Sequence, residues 1–362
     1  MKILHLIHKP QNRGAETFAC QLAGHQKRNG HKVRIIAVYP GSADLSWGGT
    51  IENLQGKEGV LLDWKAWRRL AILVKDFQPD IIQANSGDTL KYAVFSKKIF
   101  GWKTPVVVRN ASEVGRYLKS GLQKRVNSFL YRNVAGAASV SKASENDLLE
   151  HFPFLQGKTR VIPVGLERKD ANPIRLLPNN KKHIIHVGGF SFEKNHKGLI
   201  SIFKKVVDTN PHTHLHLIGD GILRPEIEEL VKQQQLQEKV TFYGFVNNPL
   251  DYIIAADVLV LPSIIEGLPG VLLEAMYCKT VVVAYNVGGI SEIVSPKTGI
   301  LINQDDEKTF VEGVNESLGH KNSDQIDYAY KLVMEKFMNE KLATEFTKFY
   351  KKILEIGDVV RL

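Results

Sequence analysis

Cysteine and long apolar runs are scarce in this sequence, and each shortage excludes a class of protein. Only two cysteines occur among the 362 residues, Cys20 and Cys278, and they lie far apart in the chain. A disulfide framework and a zinc ribbon are therefore excluded, and a reducing cytoplasm is the expected compartment. No apolar run approaches the ~20 residues of a membrane-spanning helix. The N-terminal stretch lacks a long apolar core and a small-residue cleavage site, so we expect no signal peptide.

Acidic residues are few in the first half of the chain. Residues 1–170 hold 27 basic and 14 acidic side chains, a net charge of +13, whereas the remainder holds 21 and 24, a net charge of −3. A basic half predicts an anionic partner, such as a phosphorylated substrate, an anionic membrane surface or a nucleic acid. The alternative is a basic surface that is merely solvated. Because no nucleic-acid-binding motif accompanies the charge, we expect no nucleic-acid partner.

Short β-branched runs alternate with amphipathic stretches along the whole sequence. This alternation predicts an α/β protein with parallel sheets that are covered by helices on both faces. The expected strands are residues 2–7, 32–38, 80–84, 105–109, 136–141, 160–164, 183–189, 214–221, 239–244, 257–263, 280–285 and 298–303. The expected helices are residues 15–29, 64–77, 88–100, 121–133, 142–151, 195–209, 222–235, 267–278, 305–319 and 325–358.

A stretch rich in proline, asparagine and charge, residues 165–182, interrupts the alternation and reads as a linker. We therefore expect two doubly wound, Rossmann-like domains, 1–170 and 171–339, facing an interdomain cleft. A C-terminal helix over about 340–362 is expected to pack back on the first domain. Ligands of such folds bind at the carboxyl ends of the strands, where helix N-termini also point.

The segment PSIIEGLPGVLLEAM, residues 262–276, carries the strongest chemical signal. It follows a very apolar strand and opens a helix, with Glu266 in the loop and Glu274 about two turns into the predicted helix. Gly267 and Gly270 permit a tight turn and a close approach to a ligand. Unpaired amides at the helix start favour an anion. Two carboxylates and a phosphate cradle suit a nucleotide sugar, which presents sugar hydroxyls, a diphosphate and a ribose diol.

This segment resembles the signature of the family 4 retaining glycosyltransferases, which have the GT-B architecture of two facing Rossmann-like domains. The similarity is strong over about 183–303 and weaker but collinear over 1–170. Five other segments resemble family motifs: RGAETFACQLA (13–23), RVIPVGLE (160–167), IGDGILRPEIEELV (218–231), VTFYGFVNNPLDYIIAADVLVLPS (240–263) and VGGISEIV (287–294).

The resemblance implies roles for individual residues of the second domain. Glu266 would bind hydroxyls of the donor sugar, and Glu274 would bind those of the ribose. The backbone of Leu268, Pro269 and Gly270 would face the sugar and diphosphate, although proline has no N–H to donate.

The family usually places an arginine and then a lysine on the donor diphosphate. The arginine position corresponds to Gly189 here, which departs from the family pattern. Lys197 is the best match to the lysine, and Lys194 is the second candidate. The predicted catalytic residues are accordingly Glu266 and Lys197. A solvated helix start is the structural alternative for both lysines.

Acceptor-side residues are expected in the first domain. Gly14 and Ala15 lie at a strand-to-helix turn that leaves amides available to a substrate. Glu16 follows in the first turn, where it has a role on the acceptor side or simply favours the helix dipole. Where many family members have a histidine after a strand of this domain, the nearest candidates here are Arg109, Asn110 and Glu113.

The resulting hypothesis is a retaining glycosyltransferase of cell-surface polysaccharide synthesis. It would move a sugar from a nucleotide-sugar donor, with a UDP-sugar favoured, to a hydroxyl of a saccharide or lipid-linked saccharide. Because no Asp-x-Asp motif occurs, we expect no metal and no cofactor. The alternatives are a GT-B-fold nucleotide-sugar epimerase or phosphorylase, and a non-catalytic sugar-nucleotide-binding subunit.

Two basic segments suggest a peripheral enzyme at the inner face of the cytoplasmic membrane: residues 64–70, which pair tryptophans with a basic cluster, and the amphipathic residues 116–132. Ordinary surface helices are the alternative for both segments. The sequence leaves the oligomeric state open.

Overall fold

The computed structural model describes residues 1–45, 47–60, 62–320 and 322–359, with side chains to residue 356. It divides into two compact units. Unit 1 is Met1–Glu167 together with the C-terminal segment from Asn339, and unit 2 is Arg168–Met338. The division falls three residues before the boundary expected at 170/171.

Unit 1 is built on seven parallel strands in the order β3-β2-β1-β4-β5-β6-β7. The runs of valine and isoleucine in its central strands are buried on both faces, as a sheet covered by helices requires. The strands are β1 Lys2–Ile7, β2 Lys32–Ala37, β3 Ile51–Asn53, β4 Ile81–Ala84, β5 Val106–Asn110, β6 Gly136–Ser139 and β7 Thr159–Val161. The helices are α1 Gly14–Arg28, α2 Trp64–Phe77, α3 Gly87–Phe100, α4 Gly121–Arg132 and α5 Lys142–His151, with α12 Asn339–Val359 from the end of the chain.

Unit 2 repeats the same strand order with six parallel strands, β10-β9-β8-β11-β12-β13. Its strands are β8 Lys182–Val187, β9 Thr213–Ile218, β10 Val240–Gly244, β11 Val258–Leu261, β12 Val281–Tyr285 and β13 Ile300–Ile302. Its helices are α6 His196–Thr209, α7 Arg224–Gln233, α8 Leu250–Ile253, α9 Gly270–Tyr277, α10 Glu307–Gly319 and α11 Ser323–Lys336. The prediction of two doubly wound parallel sheets is confirmed.

Local sequence explains where many of these helices begin. Asp63, Ser86, Ser120 and Ser141 each accept a hydrogen bond from an amide in the first turn of the helix that follows. Such caps satisfy donors that have no partner inside the helix. α1 and α9 are different, because no side chain caps either of them. No side-chain cap therefore occupies their first-turn amides, although the Leu272 amide of α9 donates to the Pro269 carbonyl at 3.2 Å.

Helix α12 closes one face of the unit 1 sheet. Phe346 and Tyr350 of α12 are fully buried and pack with Ile3 of β1 and Phe18 of α1. The helix is anchored at its start, where the Asn339 amide donates to the Leu166 carbonyl at 2.9 Å. The C-terminal helix thus packs on unit 1.

Three details of the expected secondary structure are corrected. The sequence pattern missed the short edge strand β3. The helical tail expected over 325–358 is divided into two helices, since the chain leaves unit 2 at Phe337 and Met338 and starts α12 at Asn339, one residue before the C-terminal helix expected from about 340. Helix α9 begins at Gly270 rather than 267, because Pro269 and the two residues before it adopt no helical structure. Glu274 accordingly lies one turn into the helix, not two.

Candidate functional site

The carboxyl edge of the unit 2 sheet brings a lysine and a glutamate into contact. Lys194 lies in a 3₁₀ turn after β8, and Glu266 lies in the loop after β11. The Lys194 Nζ atom is 2.6 Å from the Glu266 Oε1 atom. Both side chains are largely buried, with 22% and 10% exposed. The pair is therefore a charge-assisted hydrogen bond in a sheltered position, and it defines what we call the Glu266 site.

Backbone contacts fix the two loops that carry this pair. The Ile264 amide donates to the Glu193 carbonyl at 2.8 Å, which ties the loop after β11 to the turn after β8. Asn195, in the left-handed conformation at φ 53°, donates its side-chain amide to the Pro262 carbonyl at 3.0 Å. The same side chain caps α6 by accepting from the Gly198 amide. Asn195 was not singled out by sequence analysis, although its place directly after Lys194 is the available signal.

A glycine turn holds the Glu266 loop from the other side. Gly288 has φ +54°, and a Cβ atom there would lie 1.9 Å from the Glu266 carbonyl oxygen. The Gly289 amide donates to the Gly267 carbonyl at 2.8 Å. Only glycine permits this approach. The GGISE turn therefore positions the Glu266 backbone.

Helix α9 supplies amides and a second carboxylate. Pro269 is its N-cap residue, and the helix begins at Gly270 without a side-chain cap. Leu268 is 7% exposed and buries its side chain. Glu274 has no side-chain hydrogen bond or ion pair to any residue that the structure describes. Burial raises the pKa of Glu274, and Lys169 opposes that shift.

The other predicted donor residues lie apart from this pair. Lys197 is the second residue of α6, is well exposed and pairs with Glu226 of α7 at 2.5 Å. The structure therefore brings Lys194, the second candidate, to Glu266, and directs Lys197 elsewhere. Gly189 needs no special backbone angle, and a Cβ atom there would meet nothing closer than the Asp220 carbonyl at 3.6 Å.

Two buried histidines beside Lys194 were missed by sequence analysis. The His186 Nδ1 atom lies 2.9 Å from the Val260 carbonyl, which can only accept, so Nδ1 is the protonated nitrogen. The His196 ring lies 4.7 Å from the His186 ring and stacks on Phe190. Burial lowers the pKa of His186 to about 4 and that of His196 to about 2, with smaller contributions from Lys194. Both rings are therefore neutral near pH 7, and Lys194 is the cation of this site.

The predicted acceptor residues of unit 1 separate into two groups. The Asn110 side chain donates to the Ser139 hydroxyl at 3.3 Å and to the Ser144 carbonyl at 2.9 Å, so it is occupied within the fold. Arg109, its neighbour, is 3% exposed, and its Nε and Nη1 atoms have no hydrogen-bond partner.

The guanidinium carbon of Arg109 lies 4.4 Å from the centre of the Phe18 ring of α1. Gly14 and Ala15 begin that helix, and Glu16 of its first turn is 5% exposed.

A cavity of about 310 Å³ lies where β1 and β2 end in unit 1. His8 lines it and is 3.4 Å from Asp88, while Lys9 pairs with Glu58 at 2.8 Å. Contact with His8 lowers the pKa of Asp88. These side chains were not singled out from the sequence, because they come from separate loops.

The histidines of strand β9 form hydrogen bonds within the sheet. His216 lies 2.9 Å from His183 and 3.0 Å from the Tyr243 hydroxyl, and His214 lies 2.8 Å from the Thr241 hydroxyl. Within the described parts of the chain, no three side chains of metal-binding type are grouped to hold an ion.

Family comparisons match nearly the whole chain. The family described as glycosyl transferases group 1 matches residues 167–332, and the family described as glycosyltransferase family 4 matches residues 12–169. The chain belongs to glycosyltransferase family 4. This glycosyltransferase carries the Glu266 site within the first match and the Arg109 side chain within the second.

Two curated relatives of this glycosyltransferase have names that refer to lipid-linked saccharide or lipopolysaccharide synthesis. A Campylobacter jejuni N-acetylgalactosamine-N,N'-diacetylbacillosaminyl-diphospho-undecaprenol 4-alpha-N-acetylgalactosaminyltransferase is 27% identical over 249 residues, covering 66% of this chain and 67% of the relative. A lipopolysaccharide core biosynthesis glycosyltransferase of Rhizobium meliloti is 26% identical over 308 residues, covering 83% of each chain.

Solved structures share the fold over almost the whole length. Anabaena HepE in complex with UDP and glucose has a TM-score of 0.79 at 18% identity, covering 97% of this chain and 100% of that one. A sucrose-phosphate synthase from Thermosynechococcus elongatus has a TM-score of 0.83 at 19% identity, covering 98% and 100%. The fold is therefore that of the GT-B glycosyltransferases. No helix in the described residues is both long and apolar enough to cross a membrane.

Proposed function

We propose that this glycosyltransferase moves a sugar from a UDP-sugar to a hydroxyl of a lipid-linked saccharide in cell-surface polysaccharide synthesis. The transfer retains the anomeric configuration and needs no metal. The observation that carries the proposal is the Lys194–Glu266 pair at 2.6 Å, beside a helix with an uncapped start and a partnerless Glu274. These groups supply one cation, free amides and two carboxylates, the set that a nucleotide sugar requires.

Each group has a distinct task in donor binding. Lys194 and the first amides of α9 take the charge of the diphosphate. Glu266 accepts hydrogen bonds from the sugar hydroxyls and holds the Lys194 ammonium in position. Glu274 accepts hydrogen bonds from the ribose diol. UDP is favoured as the nucleotide because HepE, which shares the fold, was solved in complex with UDP.

The chemical step needs no protein nucleophile. The bond from the anomeric carbon to the diphosphate oxygen breaks, and the carbon develops oxocarbenium character. The acceptor hydroxyl attacks from the face that the diphosphate leaves, and its proton passes to a phosphate oxygen of the leaving group. Lys194 and the α9 amides stabilise that departing charge, and one such preorganised donor contributes about 2.7–4 kcal/mol. Lysine and amides perform the task that a metal ion has elsewhere.

The donor assignment is tested with a thermal-shift and product screen across UDP- and GDP-sugars. A bound donor raises the melting temperature by linkage. We expect one UDP-sugar to give a selective shift, and Glu274→Gln to abolish it. Transfer should persist in EDTA, and NMR of the product should show the donor's anomeric configuration. A selective GDP-sugar shift, an inverted product or loss of activity in EDTA would each overturn the corresponding part of the proposal.

An anionic membrane is the proposed location of the acceptor. The first residues of α4 are exposed on all sides, and Leu122 is 73% exposed. Phe129 is 41% exposed, and Lys124 and Arg125 are exposed between the two. Apolar side chains that insert and basic ones that meet lipid phosphates are typical of interfacial helices. The lipid-linked substrate named for the Campylobacter jejuni relative also supports this location.

Co-sedimentation with phosphatidylglycerol vesicles tests the membrane surface. Leu122→Glu should reduce the bound fraction severalfold, because it removes an inserting side chain and adds repulsion. Ile222→Glu is the matched control, since Ile222 is a 90% exposed apolar residue of unit 2. Equal loss in both variants, or no binding of the unmodified protein, would contradict the proposal.

A further inference from the structure

Arg109 is a buried cation without a counterion in hydrogen-bond contact. It is the fourth residue of β5, near the carboxyl end of that strand, and only 3% of it is exposed. Its Nε and Nη1 atoms are buried and unpartnered. Arg160 and Arg224, by contrast, pair with carboxylates at 2.7 Å. Burying an ionised group without a partner is costly, so such a residue is poorly explained by stability alone.

Glu16 is the carboxylate whose charge acts on Arg109, but it makes no direct contact with the guanidinium. Glu16 is buried, its Oε1 atom accepts a hydrogen bond from Gln11 at 3.1 Å, and its Oε2 atom has no partner. Burial lowers the pKa of Arg109 to about 10, and the Glu16 charge acts in the opposite direction. The guanidinium is therefore charged at neutral pH and keeps unused donors.

The second turn of α1 lies against this guanidinium, and the first turn carries a charge that acts on it. Arg109 stacks on Phe18, the fifth residue of α1, and interacts electrostatically with Glu16, the third. The N-cap residue Arg13 gives no side-chain cap, and no atom lies within 4 Å of where a Cβ on Gly14 would be. Open space beside Gly14, a helix start without a side-chain cap and a buried cation stacked one turn further along therefore occur together at this end of α1. Amides and a guanidinium together favour phosphate.

We infer that Arg109 and the first turn of α1 form an anion subsite in unit 1 that binds the phosphate or diphosphate group of the acceptor. This inference rests on the proposed function for the identity of the acceptor. Unit 2 already holds the lysine and helix start that suit the donor diphosphate. A lipid-linked saccharide carries its own diphosphate, which needs a separate cation. The planar guanidinium suits this anion because it can donate two parallel hydrogen bonds to one phosphate group.

Measurements of stability and of binding show whether Arg109 serves a ligand site or only the structure. Arg109→Met should raise the melting temperature of the ligand-free protein by about 2 °C, because it replaces a buried unpaired charge by an apolar chain. With the donor site of unit 2 occupied by saturating UDP, the same variant should weaken the binding of inorganic pyrophosphate and of farnesyl diphosphate at least tenfold in calorimetry. Arg109→Lys should restore part of that affinity, since it keeps the charge but not the planar fork.

Arg34→Met is the matched control. Arg34 also stacks on a phenylalanine of unit 1, with its guanidinium carbon 4.8 Å from the Phe77 ring centre, but it pairs with Asp76 at 3.1 Å and its side chain is 36% exposed. This variant should leave pyrophosphate binding unchanged and lower the melting temperature slightly. If Arg109→Met lowers the melting temperature and leaves both affinities intact, the arginine is structural and the inference is overturned.

Kinetic constants distinguish an anion subsite for the acceptor phosphate from one for the donor phosphate. Arg109→Met should raise the KM for a diphosphate-linked acceptor at least tenfold and the donor KM much less. A raised donor KM with an unchanged acceptor KM would overturn the acceptor assignment. Failure of the proposed function gives a different result, in which no transfer occurs with any acceptor while pyrophosphate binding still depends on Arg109.

Discussion

The two units share one strand order but differ in whether the cation at the carboxyl edge of the sheet is paired with a carboxylate. The order in unit 1 begins β3-β2-β1-β4-β5, and unit 2 repeats it as β10-β9-β8-β11-β12. In unit 2, the loops after β8 and β11 join a cation to a carboxylate, Lys194 to Glu266. In unit 1, the buried cation Arg109 has no such partner among the residues that the structure describes. The fold thus sets where a ligand binds, and the loops set its chemistry.

A second contrast concerns histidine. Burial lowers the pKa of five histidines in unit 2 but of two in unit 1. Those of unit 2 are His183, His186, His196, His214 and His216, and those of unit 1 are His5 and His31. The stability of unit 2 should therefore depend more than that of unit 1 on its histidines remaining neutral.

The largest effect is expected from substituting Lys194, the paired cation of unit 2. Lys194→Ala should reduce kcat/KM about 10²–10³-fold, because it removes a preorganised donor from the leaving diphosphate. Lys197→Ala should cost less than about threefold, since Lys197 is exposed and pairs with Glu226. Steady-state kinetics at saturating acceptor measure both. The reverse ranking would mean that the lysine remote from Glu266 carries the function.

A backbone substitution tests how the Glu266 loop is held. Gly288→Ala should lower the free energy of unfolding by about 2 kcal/mol or more and weaken donor binding about tenfold. The added methyl would lie 1.9 Å from the Glu266 carbonyl oxygen, at a positive φ. Gly189→Ala is the control, because its methyl would meet only the Asp220 carbonyl at 3.6 Å. Urea unfolding and donor titration should separate the two variants, and equal behaviour would contradict the proposed clash.

The histidine contrast predicts that acid weakens unit 2 first. An unfolded histidine titrates near 6.5, whereas the pKa of folded His214 is about 4 and that of His216 about 3. Below pH 6.5 the unfolded chain therefore binds protons that the folded chain does not. The free energy of unfolding should fall by up to ~1.4 kcal/mol per pH unit for each such histidine, until the folded pKa is reached. Above pH 6.5 this effect is absent.

The tryptophans give a direct readout of that difference. All four, Trp47, Trp64, Trp67 and Trp102, belong to unit 1. Tryptophan fluorescence thus follows unit 1, while far-ultraviolet circular dichroism follows both units. Between pH 7.5 and 5.0 the dichroism midpoint should fall further than the fluorescence midpoint. His214→Gln should reduce the difference, and the exposed His212→Gln should not. Coincident midpoints at every pH would refute the contrast.

Much of this architecture was predictable because buried parallel strands have a simple signature. Runs such as VVVR and VLVL marked strands that lie buried in the sheets, and the position of Glu266 followed from its loop between β11 and α9. The resemblance to family 4 predicts that the donor chemistry lies in the second half of the chain.

The choice between two lysines was not predictable from spacing. Lys194 and Lys197 are three residues apart, and the start of α6 at His196 decides which one faces Glu266. That start depends on Asn195, which combines a left-handed backbone, a cap to Gly198 and a contact with Pro262. The isolation of Arg109 was equally hidden, because it depends on which partners are missing around a buried side chain.

The substitution with the smallest expected effect, Gly189→Arg, adds a cation to unit 2. Gly189 occupies the position where the family usually has an arginine, and its backbone and surroundings allow a side chain. Gly189→Arg should lower the donor KM about fivefold, or ~1 kcal/mol, because a partly exposed cation is screened by solvent. Gly189→Gln, which adds bulk without charge, should leave the KM unchanged, and added salt should erase the gain. An unchanged KM in Gly189→Arg would mean that Lys194 and the α9 amides already satisfy the diphosphate without a second cation.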